Sequence, residues 1–110
     1  MTKLLVLSDS HGGRAAIERV LMKESKNIDA LIFLGDGLRD LELALTQYPK
    51  LRAYSVAGNC DYGALEPTDG LAAFDGVVIF YTHGHMYGVK YDLDTLADAA
   101  SARGAEVALF

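Results

Sequence analysis

The chain has 110 residues, 51% of them hydrophobic and 23% charged, with two prolines and a formal net charge of −5. That is enough apolar material for one modest core and too little bias for disorder, and an acidic balance without any basic block excludes extended nucleic-acid binding. No apolar run approaches the ~20 residues of a membrane span, residues 1–3 are too short for a signal peptide, and the single cysteine excludes an internal disulfide framework, so a cytoplasmic protein without a membrane partner is expected.

In chain order the pattern alternates strand and helix. Residues 3–7 form an apolar strand-like run, and after Gly13 the spacing of Ile17, Val20 and Leu21 predicts a helix reaching about residue 25. Residues 30–34 read as a second strand. Leu38, Leu41 and Leu45 mark a second helix, stopped at Tyr48-Pro49 because proline disfavours helical geometry in the residue before it. A third strand covers residues 51–56, and a turn-rich stretch runs from 62 to 70. Strands at 71–74 and 77–81 follow, joined by Asp75-Gly76, a hairpin signal. A last helix spans about 93–103, with Gly104 as its C-terminal cap, and a last strand covers 106–110. The first half reads as right-handed βαβ units on a parallel sheet. The hairpin predicts a second sheet, mixed or antiparallel.

Four polar clusters each follow one of the strand runs: Asp9-Ser10-His11, Gly35-Asp36, Gly58-Asn59-Cys60-Asp61 and His83-Gly84-His85. Open α/β sheets place their ligand sites at such carboxyl ends, and carboxylate, imidazole and amide oxygen together suit divalent metals acting on phosphate. Each cluster also has an ordinary reading. Asp9, Ser10 and Asp36 are favoured helix caps, Asn59 is a turn residue that tolerates a left-handed backbone, Cys60 is a small buried hydrophobe, and a lone His83 is more often structural than ligating. The recurrence at successive strand ends is what favours the metal reading. Asp9 and His11, two residues apart on extended backbone, leave the same face and are able to share one ion.

In this order the motifs D-x-H, G-D, G-N-C-D and T-H-G-H resemble the calcineurin-like metallophosphoesterase superfamily, in particular its small bacterial and archaeal phosphodiesterase branch. The resemblance covers nearly the whole chain. It implies an α/β sandwich of two β-sheets flanked by helices, as a single domain over residues 1–110. It also implies two divalent ions: Asp9 and His11 on the first, Asp36 bridging both, Asn59 and His83 on the second. Manganese is the expected metal, with nickel, iron and zinc also compatible with mixed N and O ligands. The implied activity is hydrolysis of a small phosphate ester by a hydroxide held between the ions, with Asn59 offsetting charge on the phosphoryl oxygens.

The sequence departs from that family in two ways. Members continue past a strand like 106–110 into a G-H-x-H motif that gives one histidine to each metal, so the C-terminal part of the domain is expected to be missing here. Phosphatase relatives carry a histidine where this chain has Cys60, so leaving-group protonation by a histidine is not available there. Asp61 is expected to orient a neighbouring histidine. Gly12 and Gly13 are expected to open a helix with free backbone N–H groups for an anionic oxygen, with Arg14 and Arg39 near enough in sequence to assist. Two other classes compete: a protein-interaction module on the same fold, and a phosphoacceptor domain, which leaves His11, Asn59 and His83 without a role. A homo-oligomer is compatible with either.

Overall fold

Sequence period decides the layers of this molecule. The computed structural model describes residues 2–10, 13–90 and 92–110. Its strands are β1 (Leu4–Leu7), β2 (Ala30–Phe33), β3 (Ala53–Ser55), β4 (Asp69–Phe74), β5 (Val77–Thr82) and β6 (Val107–Leu109). Helix α1 (Arg14–Glu24) lies between β1 and β2, α2 (Leu38–Leu45) between β2 and β3, and α3 (Asp94–Ala102) before β6, with a 3-10 turn at His85–Tyr87.

The strands form two three-stranded sheets, in the orders β1-β2-β3 and β4-β5-β6. The first is parallel, with Leu5 opposite Leu31 and Ile32 opposite Tyr54. The second is mixed, as expected: β4 runs antiparallel to β5 with Leu71 opposite Phe80, and β6 runs parallel to β5 with Ala108 opposite Phe80.

Alternate side chains of a strand leave opposite faces. Leu31 and Phe33 therefore pack with Ile17 and Leu21 of α1 and with Leu38, Leu41 and Ala44 of α2. Ile32 points the other way, joining Leu34, Val56 and Tyr81 between the two sheets. On the far face of the second sheet Phe80 packs against Leu96 and Ala100 of α3. The result is four layers, helices on sheet on sheet on helix. β2 is covered on both faces, which is why it is apolar throughout. Each of its larger side chains contributes about 1.5–3 kcal/mol on burial.

Both turn signals hold. Asp75 and Gly76 have φ of 51° and 80°, the left-handed pair a type I′ hairpin requires. The Asp75 carboxylate accepts the Thr2 hydroxyl at 2.6 Å and the Thr2 N–H at 2.8 Å, which holds it below its ordinary pKa. At the end of α3, Gly104 (φ 74°) donates to the Ser101 carbonyl and Ala105 to the Ala100 carbonyl, both at 3.0 Å, a Schellman closure. The third strand is shorter than the 51–56 expected, because Leu51 N–H turns back to the Tyr48 carbonyl at 3.1 Å. Among the described residues, no helix is long and apolar enough to cross a membrane.

Candidate metal centre

Because β1, β2 and β3 are parallel, the segments that follow them meet at one edge of the sheet. The Asp9 N–H donates to the Gly35 carbonyl at 2.9 Å, tying the first two loops together. Asp9 and Asp36 both take left-handed backbone, with φ of 55° and 61°. For a residue with a side chain this costs about 1–2 kcal/mol, and it persists only where the surroundings enforce it.

Close backbone approach supplies that enforcement. A Cβ on Gly58 would lie 2.1 Å from Asp36 Oδ1, and a Cβ on Gly35 would lie 2.6 Å from the Gly58 nitrogen. Both positions need glycine. Asp61 adds the polar half of the clamp. Its carboxylate accepts four backbone N–H groups: Asp36 at 2.6 Å, Gly37 and Gly58 each at 2.8 Å, and Leu38 at 3.1 Å. Desolvation pushes the Asp61 pKa up, but these four donors together outweigh it and hold the group below its ordinary value. Asp61 thus caps α2, whose own N-cap residue Gly37 has no side chain to do so.

Among the described residues the hydrogen bonds of the Asp61 carboxylate go to backbone amides and none goes to a histidine, where an imidazole partner was expected. The histidine is oriented by main chain instead. His83 Nδ1 lies 2.8 Å from the Leu34 carbonyl oxygen, so that nitrogen carries the hydrogen and donates it. Nε2 is left facing Asp36 Oδ2 at 3.2 Å. The other Asp36 oxygen, Oδ1, accepts the Cys60 N–H at 2.8 Å.

One ligand atom each from Asp9, Asp36 and His83 lies within 4.8 Å of the other two. The set fits a divalent cation on its own chemistry. Two carboxylates and an imidazole are hard to borderline donors, and an imidazole that gives its other N–H to a main-chain carbonyl is the usual supported ligand. Asn59, Cys60, His85 and Lys90 line the same cleft of about 460 Å³, and the His85 ring centroid is 5.4 Å from that of His83. His11 and Gly12 lie outside the described residues.

Several ordinary readings fail. Neither Asp36 nor Ser10 caps a helix: α1 starts from Gly13 and α2 from Gly37, neither of which offers a side chain, α2 is capped by Asp61 instead, and Ser10 Oγ donates to Asp40 at 3.0 Å. Asn59 does sit in a turn, closed by the Asp61 N–H on the Gly58 carbonyl at 3.1 Å, without the left-handed backbone that it tolerates. Cys60 is exposed, not a buried hydrophobe. Partial desolvation, then the Asp36 carboxylate through its charge and a side-chain hydrogen bond, then the charges of Asp61 and Asp9, raise its thiol pKa. The free N–H expected at Gly13 is engaged with the Ser10 carbonyl at 2.8 Å. Arg14 pairs with Glu18 at 3.4 Å on the surface, and Arg39 lines a neighbouring groove. Sequence reasoning missed Lys90 and the Leu34 carbonyl. The first has no local motif, and the second becomes visible only once the two sheets are stacked.

Residues 2–110 match the model of the calcineurin-like phosphoesterase superfamily domain, and the chain belongs to that family. It is 32% identical over 108 residues to the probable metallophosphoesterase YsnB of Bacillus subtilis, a match covering 97% of this chain and 61% of that protein. A predicted phosphoesterase from Streptococcus pneumoniae superposes with a TM-score of 0.81 at 26% identity, over 97% of this chain and 59% of that one. Vps29 of Chaetomium thermophilum shares the fold, with a TM-score of 0.75 at 18% identity over 98% of this chain and 60% of that one. The chain thus spans about three-fifths of the length of these relatives.

Proposed function

We propose that this chain carries the metal-binding part of a cytoplasmic phosphoesterase that hydrolyses small phosphate esters with two divalent ions, manganese foremost and nickel, iron or zinc as alternatives. The observation that carries this reading is the convergence of Asp9, Asp36 and His83 donor atoms within 4.8 Å, at the ends of strands from two different sheets. Asp9 and His11 would hold one ion, Asn59 and His83 the other, and Asp36 would serve both. When bound, such ions neutralise charge on the phosphoryl group and lower the pKa of water towards neutrality.

The protein's own part is positioning. Asp36 Oδ1 is anchored by the Cys60 N–H and Oδ2 is turned to His83, so its carboxylate plane is fixed before any ion arrives. The Leu34 carbonyl fixes the tautomer and direction of the imidazole. Asn59 and Lys90 line the cleft from opposite segments of the chain and would meet phosphoryl oxygens, the amide as a neutral donor and the ammonium as a positive one.

A protein-interaction module on the same fold gives these three side chains no reason to converge. Nor does it explain left-handed backbone at both aspartates. The deciding experiment is elemental analysis after dialysis, together with hydrolysis of bis(p-nitrophenyl) phosphate. Asp36→Asn should lose more metal than Asn59→Ala, with far-ultraviolet circular dichroism unchanged in both. Equal metal content in the two variants and the parent would overturn a shared carboxylate at position 36.

A further inference from the structure

A second concavity adjoins the candidate metal centre. It has a volume of about 700 Å³ and lies between α2 and the loop after Asp61, a size that holds a ring-bearing small molecule. Cys60 lines both this groove and the metal cleft, and the Cys60 N–H is 2.8 Å from Asp36 Oδ1, so the two concavities meet within one residue of the ligand cluster. Leu38 and Leu43 of α2 form one wall of the groove, and Tyr62 and Leu65 the other. Tyr62 is 90% exposed and Leu65 97% exposed. Arg39 adds a guanidinium to the lining.

We infer that this groove is a subsite for an aromatic ester group of the substrate, seated against Tyr62 and Leu65 while its phosphoryl group lies at the Asp9–Asp36–His83 cluster. The inference rests on the phosphoesterase reading and narrows its substrate class to aryl or nucleoside-type phosphate esters. A tyrosine offers a large flat contact and has only two torsions to order on binding. An aromatic ring gains offset-stacking or edge contact with it that an alkyl group does not. Arg39 is suited to a ring face, and with Glu42, Asp61 and Glu66 also in the lining the groove favours an uncharged ring over a second anionic group. The base of the groove does not have to move to receive it, because Asp61 is held by four backbone N–H groups.

The test uses the full chain, isotopically labelled and supplied with zinc, a diamagnetic ion, and follows backbone amides by NMR. The ligands are inorganic phosphate, ethyl phosphate and phenyl phosphate. All three should shift the amides of residues 9, 36, 59 and 60. Phenyl phosphate alone should also shift those of residues 62–66, and it should bind roughly fivefold tighter than ethyl phosphate. Tyr62→Ala should bring phenyl phosphate to the ethyl value and leave inorganic phosphate unchanged. Because Tyr62 is almost wholly exposed, this variant should fold as the parent does, and the same spectra report that.

A phenyl ester that binds no better than the ethyl ester, or leaves residues 62–66 unmoved, overturns the subsite and leaves the phosphoesterase reading standing. Failure of all three ligands, phosphate included, counts against that reading and takes the subsite with it. If the 62–66 amides respond to protein concentration instead of to any ester, the groove is a contact between copies and the inference falls.

Discussion

Two adjacent stretches of one loop differ sharply. Residues 58–61 are locked: Gly58 has no room for a Cβ, the Cys60 N–H is bonded to Asp36, and the Asp61 carboxylate holds four amides. Residues 62–65 are open. Around Gly63 nothing lies within 4 Å of an added Cβ, and Tyr62 and Leu65 stand in solvent. The lesson is a division of labour within a few residues. The part that must place ligand atoms is over-determined by backbone contacts, and the part that faces outward is left to take up whatever the cleft admits.

The sharpest way to break this comparison is a methyl group in each half. Gly58→Ala puts a carbon on the Asp36 carboxylate and should cost more than about 4 kcal/mol and abolish metal retention, measured by chemical denaturation and elemental analysis. Gly63→Ala pays only for its φ of 73°, about 1 kcal/mol. If the two losses are similar, the 58–61 segment is not locked.

Next in size is Asp61→Ala, which leaves four amide donors without their acceptor. A loss of about 2–4 kcal/mol is expected, with the first turn of α2 losing hydrogen-exchange protection. Leu65→Ala, at 97% exposure, should stay within about 0.5 kcal/mol of the parent. An Asp61 variant with intact protection in residues 37–41 would show that the cap is dispensable.

The smallest effect is expected at the border between the halves. The Cys60 side chain is exposed, and its thiol shares the Asp36 carboxylate with the residue's own backbone N–H, which alanine keeps, so Cys60→Ala should change stability by less than about 0.5 kcal/mol and leave metal content unaltered. A larger drop in either would show that the thiol contact with Asp36 helps to hold that carboxylate in place.

Much of this was legible in the sequence, and for local reasons. The hairpin at Asp75-Gly76, the helix stop at Gly104 and the apolar run of β2 each depend on a few neighbouring residues. The placing of Asp9, Asp36 and His83 at strand ends is readable in the same way, because each follows its strand within about three residues. What could not be read depends on distant pairings. Asp61 meets amides 23–25 residues earlier in the chain, so its motif suggested a histidine partner where the fold supplies a helix end. His83 finds the Leu34 carbonyl 49 residues away, a pairing that exists only because one sheet lies on the other. Cys60 stands exposed where its type suggests the interior, because residue type says nothing of which way a short side chain faces.

The contrast between the two sheets also has a kinetic consequence. β4 and β5 are joined by a two-residue turn and align six residue pairs, so their contacts form with almost no loop to close. Every pairing in the β1-β2-β3 sheet must wait for a crossover through a helix. Isolated hairpins close in roughly 1–10 μs, whereas non-local pairing slows folding by orders of magnitude. In pulse-labelled hydrogen exchange during refolding, amides across the 71–80 hairpin should gain protection before those of Leu31 and Phe33. β2, the strand that leads to Asp36, would then be among the late arrivals, and the ligand cluster would be assembled only as the chain completes its fold.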